Sequence, residues 1–340
     1  MHADAQRTQL LAVSEGIERL AARGVRPDSG QDDTDSICQS VDLVTGSAHT
    51  LPFERVVVGL PGRLSMRQAP GEVFYSGCAS HTSFAQAVLN GTLELIGRDA
   101  FMITWYRRRA LPRLSWPGTP SPDVARMGAY LKDHGLSIEV FDMALDAPVF
   151  AVLVRVTARV GQGNWPEGGA LLVAGVGFTA MAALAHACRV VCGQFVSLAL
   201  YPDPAKNPLD AEAVGRISRN SPSWALTARY LDPAHRPAHD FLGSGTRSFE
   251  SLPAITCHTR SQQLAALRAW FADSGYPWLV VRLTEETARL AGFEVVKVVS
   301  PDLIPLVPAR ADVPFQRARL TRAWPDATGQ TMHPDPHPLF

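Results

Sequence analysis

The chain has no apolar run approaching the roughly 18 residues that a membrane-spanning helix needs. Its longest candidates, around Ala170–Val176 and Pro277–Val281, are the size of strands. It also lacks a charge imbalance: 32 Lys and Arg offset 32 Asp and Glu, so no whole-chain field draws a nucleic acid or a membrane surface. Cysteine is sparse. Cys38, Cys78, Cys188, Cys192 and Cys257 are odd in number and scattered, and no signal-peptide pattern precedes them. A disulfide framework is therefore not expected, and a reducing cytoplasm is the simplest setting. What is present is an ordinary globular composition, 46% hydrophobic and 19% charged over 340 residues. That is enough for one large domain or two closely packed ones.

The pattern along the chain is α/β with mixed order. Apolar spacing predicts a helix over Gln9–Ala22, closed by a glycine and a proline in Arg23–Pro27, and then an exposed polar loop over Asp28–Ser40. A short buried strand is expected at 55–59, and a strand and turn at 72–78. A long helix follows over Ser83–Arg108, starting at a Ser or Thr cap. Residues 137–143 and 150–157 read as a strand pair, and 170–177 as a strand entering an alanine-rich helix over 178–198. Tyr201–Thr256 is rich in Pro, Asp, Ser and His and is expected to be irregular, with short helices. A helix at 261–274 and strands at 278–283 and 293–300 complete the pattern. The proline-rich tail from Trp324 to Phe340 should not be helical.

Two helical segments share a rhythm of acid and arginine, SEGIER at 14–19 and TLELIGR at 92–98. In the second, Gln86, Asn90, Glu94 and Arg98 recur every four residues, a polar stripe on a helix otherwise flanked by Phe84, Val88, Leu89, Leu93, Leu95 and Ile96. Such a stripe faces water or a polar site. Carboxylates on neighbouring helices suit Mg²⁺, which takes oxygen ligands and shares them with phosphates, and an adjacent Arg suits phosphate oxygens. Taken alone, the motif fits a solvated helix face with an ion pair at least as well.

The order of motifs adds more. From Tyr75 to Arg109 the chain reads YSGCASHTSFAQAVLNGTLELIGRDAFMITWYRRR, and it ends in HPDPHPLF. Together with SEGIER, the middle strands at 137–153 and the closing segment FEVVKVVSPDLIPL at 293–306, this resembles the YcaO family, in its azoline-forming cyclodehydratase branch. The resemblance runs from about Gln6 to the end and implies a YcaO-like fold, with mixed sheets and carboxylate-bearing helices around an ATP site. It implies a single domain over 1–340, with a nucleotide-binding core at 6–200, an irregular insertion at 201–260, the rest of the core at 261–323 and a tail at 324–340.

Members of that family use ATP and Mg²⁺ to activate a backbone amide oxygen of a ribosomally made peptide, so that a Cys, Ser or Thr side chain closes a thiazoline or oxazoline ring. Carried over, the resemblance places Glu15, Glu18 and Glu94 at Mg²⁺. It places Arg19, Ser80, Thr82, Gln86 and Arg98 at ATP, and gives Pro334, Pro336 and Pro338 the task of holding the tail extended toward the catalytic site. It also implies a precursor peptide as substrate in bacteriocin-type maturation, an E1-like leader-binding partner and, in many members, a homodimer.

Gly97 stands where the family has the second Glu of the second motif, Gln86 replaces a further Glu, and Cys192 occupies another Glu position. The chain also begins almost at its first motif, where members have tens of preceding residues; truncation or a second polypeptide would account for that. A degenerate homologue serving as a scaffold subunit is therefore the alternative to an active enzyme, with thioamide formation as a third option. Other constellations are weaker: Cys188 and Cys192 lack partners for zinc, Cys78 with His81 lacks a group to orient the imidazole, and His235 and His239 lie in a proline-rich loop.

Overall fold

The computed structural model describes residues 12–21, 37–52, 55–56, 76–161, 165–195, 229–306, 317–323 and 333–338. In chain order the elements begin with α1 (12–21), β1 (Ile37–Asp42), β2 (Ala48–Pro52), β3 (Cys78–His81), α2 (Phe84–Tyr106), β4 (Arg113–Leu114), α3 (Pro122–Asp133), β5 (Leu136–Asp142) and β6 (Phe150–Ala158). They continue with β7 (Ala170–Gly177), α4 (Ala180–Phe195), β8 (Thr246–Arg247), α5 (Arg260–Ser274), β9 (Leu279–Arg282), α6 (Glu286–Leu290), β10 (Glu294–Val299) and α7 (Arg317–Ala323). Among the described residues, no helix is long and apolar enough to cross a membrane.

The chain divides into two compact units, one containing residues to Asp99 with Cys257–Val307, the other Ala100–Thr256 with Arg317–Phe340. Each holds a five-stranded sheet. In the first unit the order is β2-β1-β9-β10-β3, and all neighbours are antiparallel. Its core gathers Ile17 and Ala21 of α1 with Cys38, Leu51, Cys78, Leu279, Val281, Val295 and Val299. On β10, Val295, Lys297 and Val299 alternate onto one face, so α1 covers the face that carries Lys297.

In the second unit the order is β7-β6-β5-β4-β8, antiparallel except for the β4–β8 pair. Nearly every residue of β6 is buried, as its apolar stretch Phe150–Val154 requires of a strand flanked on both edges, and the charge of its buried Arg155 is met by Glu139. The α4 helix packs Ala183, Leu184, Ala187, Cys188 and Val191 into the same core. Gly175 permits this approach, because a Cβ there would lie 2.2 Å from the Ala183 carbonyl oxygen.

The strand pair expected at 137–143 and 150–157, the β7-to-α4 junction and the α2 and α5 helices form where the periodicity predicts them. The loop expected over Asp28–Ser40 does not hold at its end, since Ile37–Ser40 belongs to β1. There Cys38, Ser40 and Asp42 point inward while Ile37 and Val41 point out, the reverse of the usual strand code. Ser40 is satisfied by donating to the His49 carbonyl at 3.1 Å, and Asp42 accepts the Val44 N–H at 2.8 Å. Of the strand expected at 55–59, Arg55 and Val56 form a turn and the rest lies outside the described residues, as does 201–228 of the irregular insertion. The α3 helix, to which the periodicity reading assigned nothing, starts at Ser121, whose hydroxyl accepts the Val124 N–H ahead of Pro122 at the first helical position.

One buried polar cluster in the second unit sets a pH dependence. Glu139 is held by Arg155 and Arg113, each with a contact of 2.6 Å, and Arg155 donates to His239 Nδ1 at 3.2 Å. Burial, with Arg155 second, pushes the His239 imidazole from 6.5 down to about 4. The unfolded chain therefore binds a proton that the folded one refuses, and stability present above pH 6.5 is lost as pH falls to about 4. The full effect is on the order of 3 kcal/mol. Urea titrations between pH 7 and 4 should show this loss in the wild type and a smaller one in His239→Gln.

Candidate functional site

Two carboxylates from distant parts of the sequence come together in the first unit. The α1 helix is stapled to edge strand β3 at its start, where Ser80 Oγ donates to the Ser14 carbonyl at 2.7 Å and the two hydroxyls are in hydrogen-bond contact. One turn further on, α1 presents Glu18. The α2 helix approaches the same edge through a pair of glycines. A Cβ at Gly91 would lie 2.6 Å from the Gly77 carbonyl oxygen and 3.0 Å from Val298, and Gly77 itself has φ +84°. Only glycine allows this separation, and it brings Glu94 to the backbone N–H of Gly77, which donates to its carboxylate.

The α2 helix is seated further by a Trp278 Nε1 donor to Thr92 Oγ1 at 3.0 Å. Asp99 accepts the Ile304 N–H at 2.9 Å, which ties down the segment after β10.

Burial and the neighbouring Glu94 push the Glu18 carboxyl from 4.5 up to about 8. Burial likewise raises Glu94, opposed by Arg98 and then Lys297. Glu94 nonetheless keeps 30% of its side-chain surface open, so its carboxyl lies in a recess rather than in sealed core. Arg98 stands 3.5 Å from it on the same helix. Lys297 is 4% exposed, opposite Cys78 in the β10–β3 register, and its charge acts on Glu18, Glu94 and Cys78 alike. Sequence reasoning passed over this lysine as part of a closing strand. Its signal was a lone cation on the inward face of Glu294–Val299, a position at which a lysine needs a partner.

The other candidates are distributed differently. Glu15 is 61% exposed and pairs with Arg19 at 2.7 Å, and the charges of both act on Glu18 from the open side of α1. Ser80 is engaged by Ser14, and Thr82 is exposed at the start of α2. The polar stripe of α2 has two halves. Gln86 donates to Asn90 at 2.9 Å and accepts from Arg260 of α5 at 2.8 Å, whereas Glu94 and Arg98 form the recess. Gly97 is buried and adds no ligand. Among the described residues no group of three or more His, Cys, Asp or Glu could hold a metal. Two carboxylates are nevertheless what Mg²⁺ commonly takes from a protein when phosphates and water complete its shell.

Burial raises the Cys78 thiol to about 11, and His81 Nδ1 is occupied by the Ser83 N–H at 3.0 Å, so the pair is no nucleophile.

The tail residues lie in the second unit. His333 donates its N–H to the Tyr106 carbonyl at 2.9 Å and stacks on Trp105 at 4.7 Å. Asp335 pairs with Arg229 at 3.0 Å, its carbonyl accepts Trp105 Nε1 at 3.0 Å, and Tyr230 donates its hydroxyl to the Pro336 carbonyl. Pro334 is exposed and Pro338 is buried. The polar anchors are thus His333, Asp335 and the Pro336 carbonyl.

Residues 26–304 match the family described as YcaO cyclodehydratase, ATP- and Mg²⁺-binding. The chain belongs to the YcaO family. No curated protein sequence matches it. Among solved structures it is similar to a heterocyclase in complex with substrate and cofactor, with a TM-score of 0.64 and 18% identity, covering 89% of this chain and 38% of that one. The YcaO protein of Methanopyrus kandleri, bound with AMPPCP and Mg²⁺, gives 0.62 and 18% identity over 87% of this chain and 75% of that one. The E. coli microcin synthetase McbBCD complex with pro-MccB17 gives 0.54 and 14% identity, over 85% and 69%. These likenesses establish the fold, and the chain spans well under half of the heterocyclase's length.

The glycine contact gives a direct test of the site's construction. Gly91→Ala should force α2 away from Gly77 and destabilise the protein by about 1–3 kcal/mol in urea titration, whereas Gly193→Ala, where a Cβ meets nothing within 4 Å, should not.

Proposed function

We propose that this protein is an ATP-dependent cyclodehydratase that closes thiazoline or oxazoline rings in a ribosomally made precursor peptide. The observation that carries the reading is the half-buried Glu18–Glu94 pair, flanked by Arg98 and Lys297, in a chain of the YcaO family. Glu18 and Glu94 would hold Mg²⁺, and Arg98 would take phosphate oxygens. Glu15 and Arg19 would assist at the rim, with Ser80, Thr82 and Gln86 at the start of α2 lining the nucleotide. The chemistry that Mg²⁺-ATP supplies is conversion of a peptide amide oxygen into a leaving group. The chain's own part is to orient the phosphates and to offset their charge, the two demands that dominate phosphoryl transfer.

The docked tail, with Pro334, Pro336 and Pro338, would order the catalytic site. An E1-like partner would deliver the leader of the peptide, in a cytoplasmic, bacteriocin-type pathway, with a homodimer as the working form. A second reading is favoured by Gly97 and Cys192, which bring no carboxylates to their positions: a scaffold subunit that binds its partners without turnover.

Mass spectrometry of candidate peptide with partner protein, ATP and Mg²⁺ separates the two. The enzyme reading predicts loss of one water per ring, and weakening of metal binding by roughly 10- to 100-fold in Glu94→Gln, with matching loss of product. Tight complex formation without any water loss in the wild type would establish the scaffold instead.

A further inference from the structure

Lys297 has no assigned part in the scheme above, and its placement is unusual. It projects from β10 beside Cys78 on the face that α1 covers, it is 4% exposed, and its charge acts on both carboxylates that would hold a cation. An ammonium and a divalent cation cannot both lie against the same carboxylate oxygens without strong repulsion. Incoming phosphates, however, bring more negative charge than the metal neutralises.

We propose that Lys297 is a phosphate-binding residue that serves, until nucleotide arrives, as the counter-cation of Glu18 and Glu94. Metal entry displaces the ammonium from the carboxylates, and the accompanying phosphate oxygens receive it. Lys297 thereby penalises binding of the metal alone and rewards binding of metal with nucleotide. The site fills with both or with neither. The ammonium stays charged throughout, so no proton transfer is involved. The inference rests on the nucleotide reading of the Glu18–Glu94 pair.

The exchange makes a prediction of opposite sign for two ligands, which loss of structure would not produce. Calorimetric titration of the full chain with Mg²⁺ alone should show tighter binding in Lys297→Met than in the wild type. Titration with ATP at saturating Mg²⁺ should show binding weaker by about tenfold or more. Lys297→Arg should recover ATP affinity toward the wild-type value. Lys297→Gln provides a second neutral variant should the methionine fail to fold. In unaltered protein, the Lys297 ¹⁵Nζ resonance should shift when Mg²⁺ and ATP are added together.

Equal weakening of both ligands, no change in either, or an unmoved Nζ resonance overturns the role of Lys297 alone. Wild-type protein that binds neither Mg²⁺ nor ATP overturns the nucleotide reading, and this inference with it.

Discussion

Withdrawing two neighbouring carboxylates from water is unfavourable unless nearby cations and donors compensate, and the first unit supplies Arg19 and Lys297 for Glu18, and Arg98, Lys297 and the Gly77 N–H for Glu94. The surrounding construction follows from holding the pair together. Ser14 and Ser80 fix where α1 begins, so Glu18 falls one turn later at the edge strand. Gly77 and Gly91 let α2 come close enough for Glu94 to reach the same place, and Trp278 with Thr92 keeps the helix in that position. A larger side chain at either glycine, or a different staple on α1, would separate the carboxylates without touching them.

Much of this was legible in the sequence because the relevant segments are long and strongly patterned. The α2 helix is apolar on nearly all sides, so its few polar positions stood out as Gln86, Asn90, Glu94 and Arg98. Spacing could not divide that stripe. Only the tertiary contacts show that Arg260 takes up Gln86 while Glu94 turns to Glu18. Glu15 and Glu18 are likewise equivalent as letters in SEGIER, yet one is exposed beside Arg19 and the other is half-buried against Glu94. The β1 strand escaped notice because its inward positions are Cys38, Ser40 and Asp42, small or polar groups of which Ser40 is satisfied by β2 and Asp42 by the adjoining turn. Lys297 was hidden for the opposite reason, one charge inside an apolar strand.

The second unit shows a similar economy at the C-terminal tail. Prolines keep that segment extended and remove backbone donors. His333, Asp335 and the Pro336 carbonyl hold it down, through the ring of Trp105 and the polar groups of Arg229 and Tyr230. The α2 helix thus carries Glu94 in its middle and the tail's docking residues, Trp105 and Tyr106, in its last turn. Residues of this helix to Asp99 belong to the first unit and those from Ala100 to the second.

The central claim is that Glu18 and Glu94 together form a divalent-cation site completed by nucleotide phosphate. Crystals grown with Mn²⁺ and a non-hydrolysable ATP analogue test it through anomalous scattering. The account predicts a manganese peak bonded to carboxylate oxygens of both Glu18 and Glu94, at roughly 2.0–2.3 Å. A manganese peak elsewhere on bound nucleotide, with the two carboxylates still facing Lys297, would contradict it.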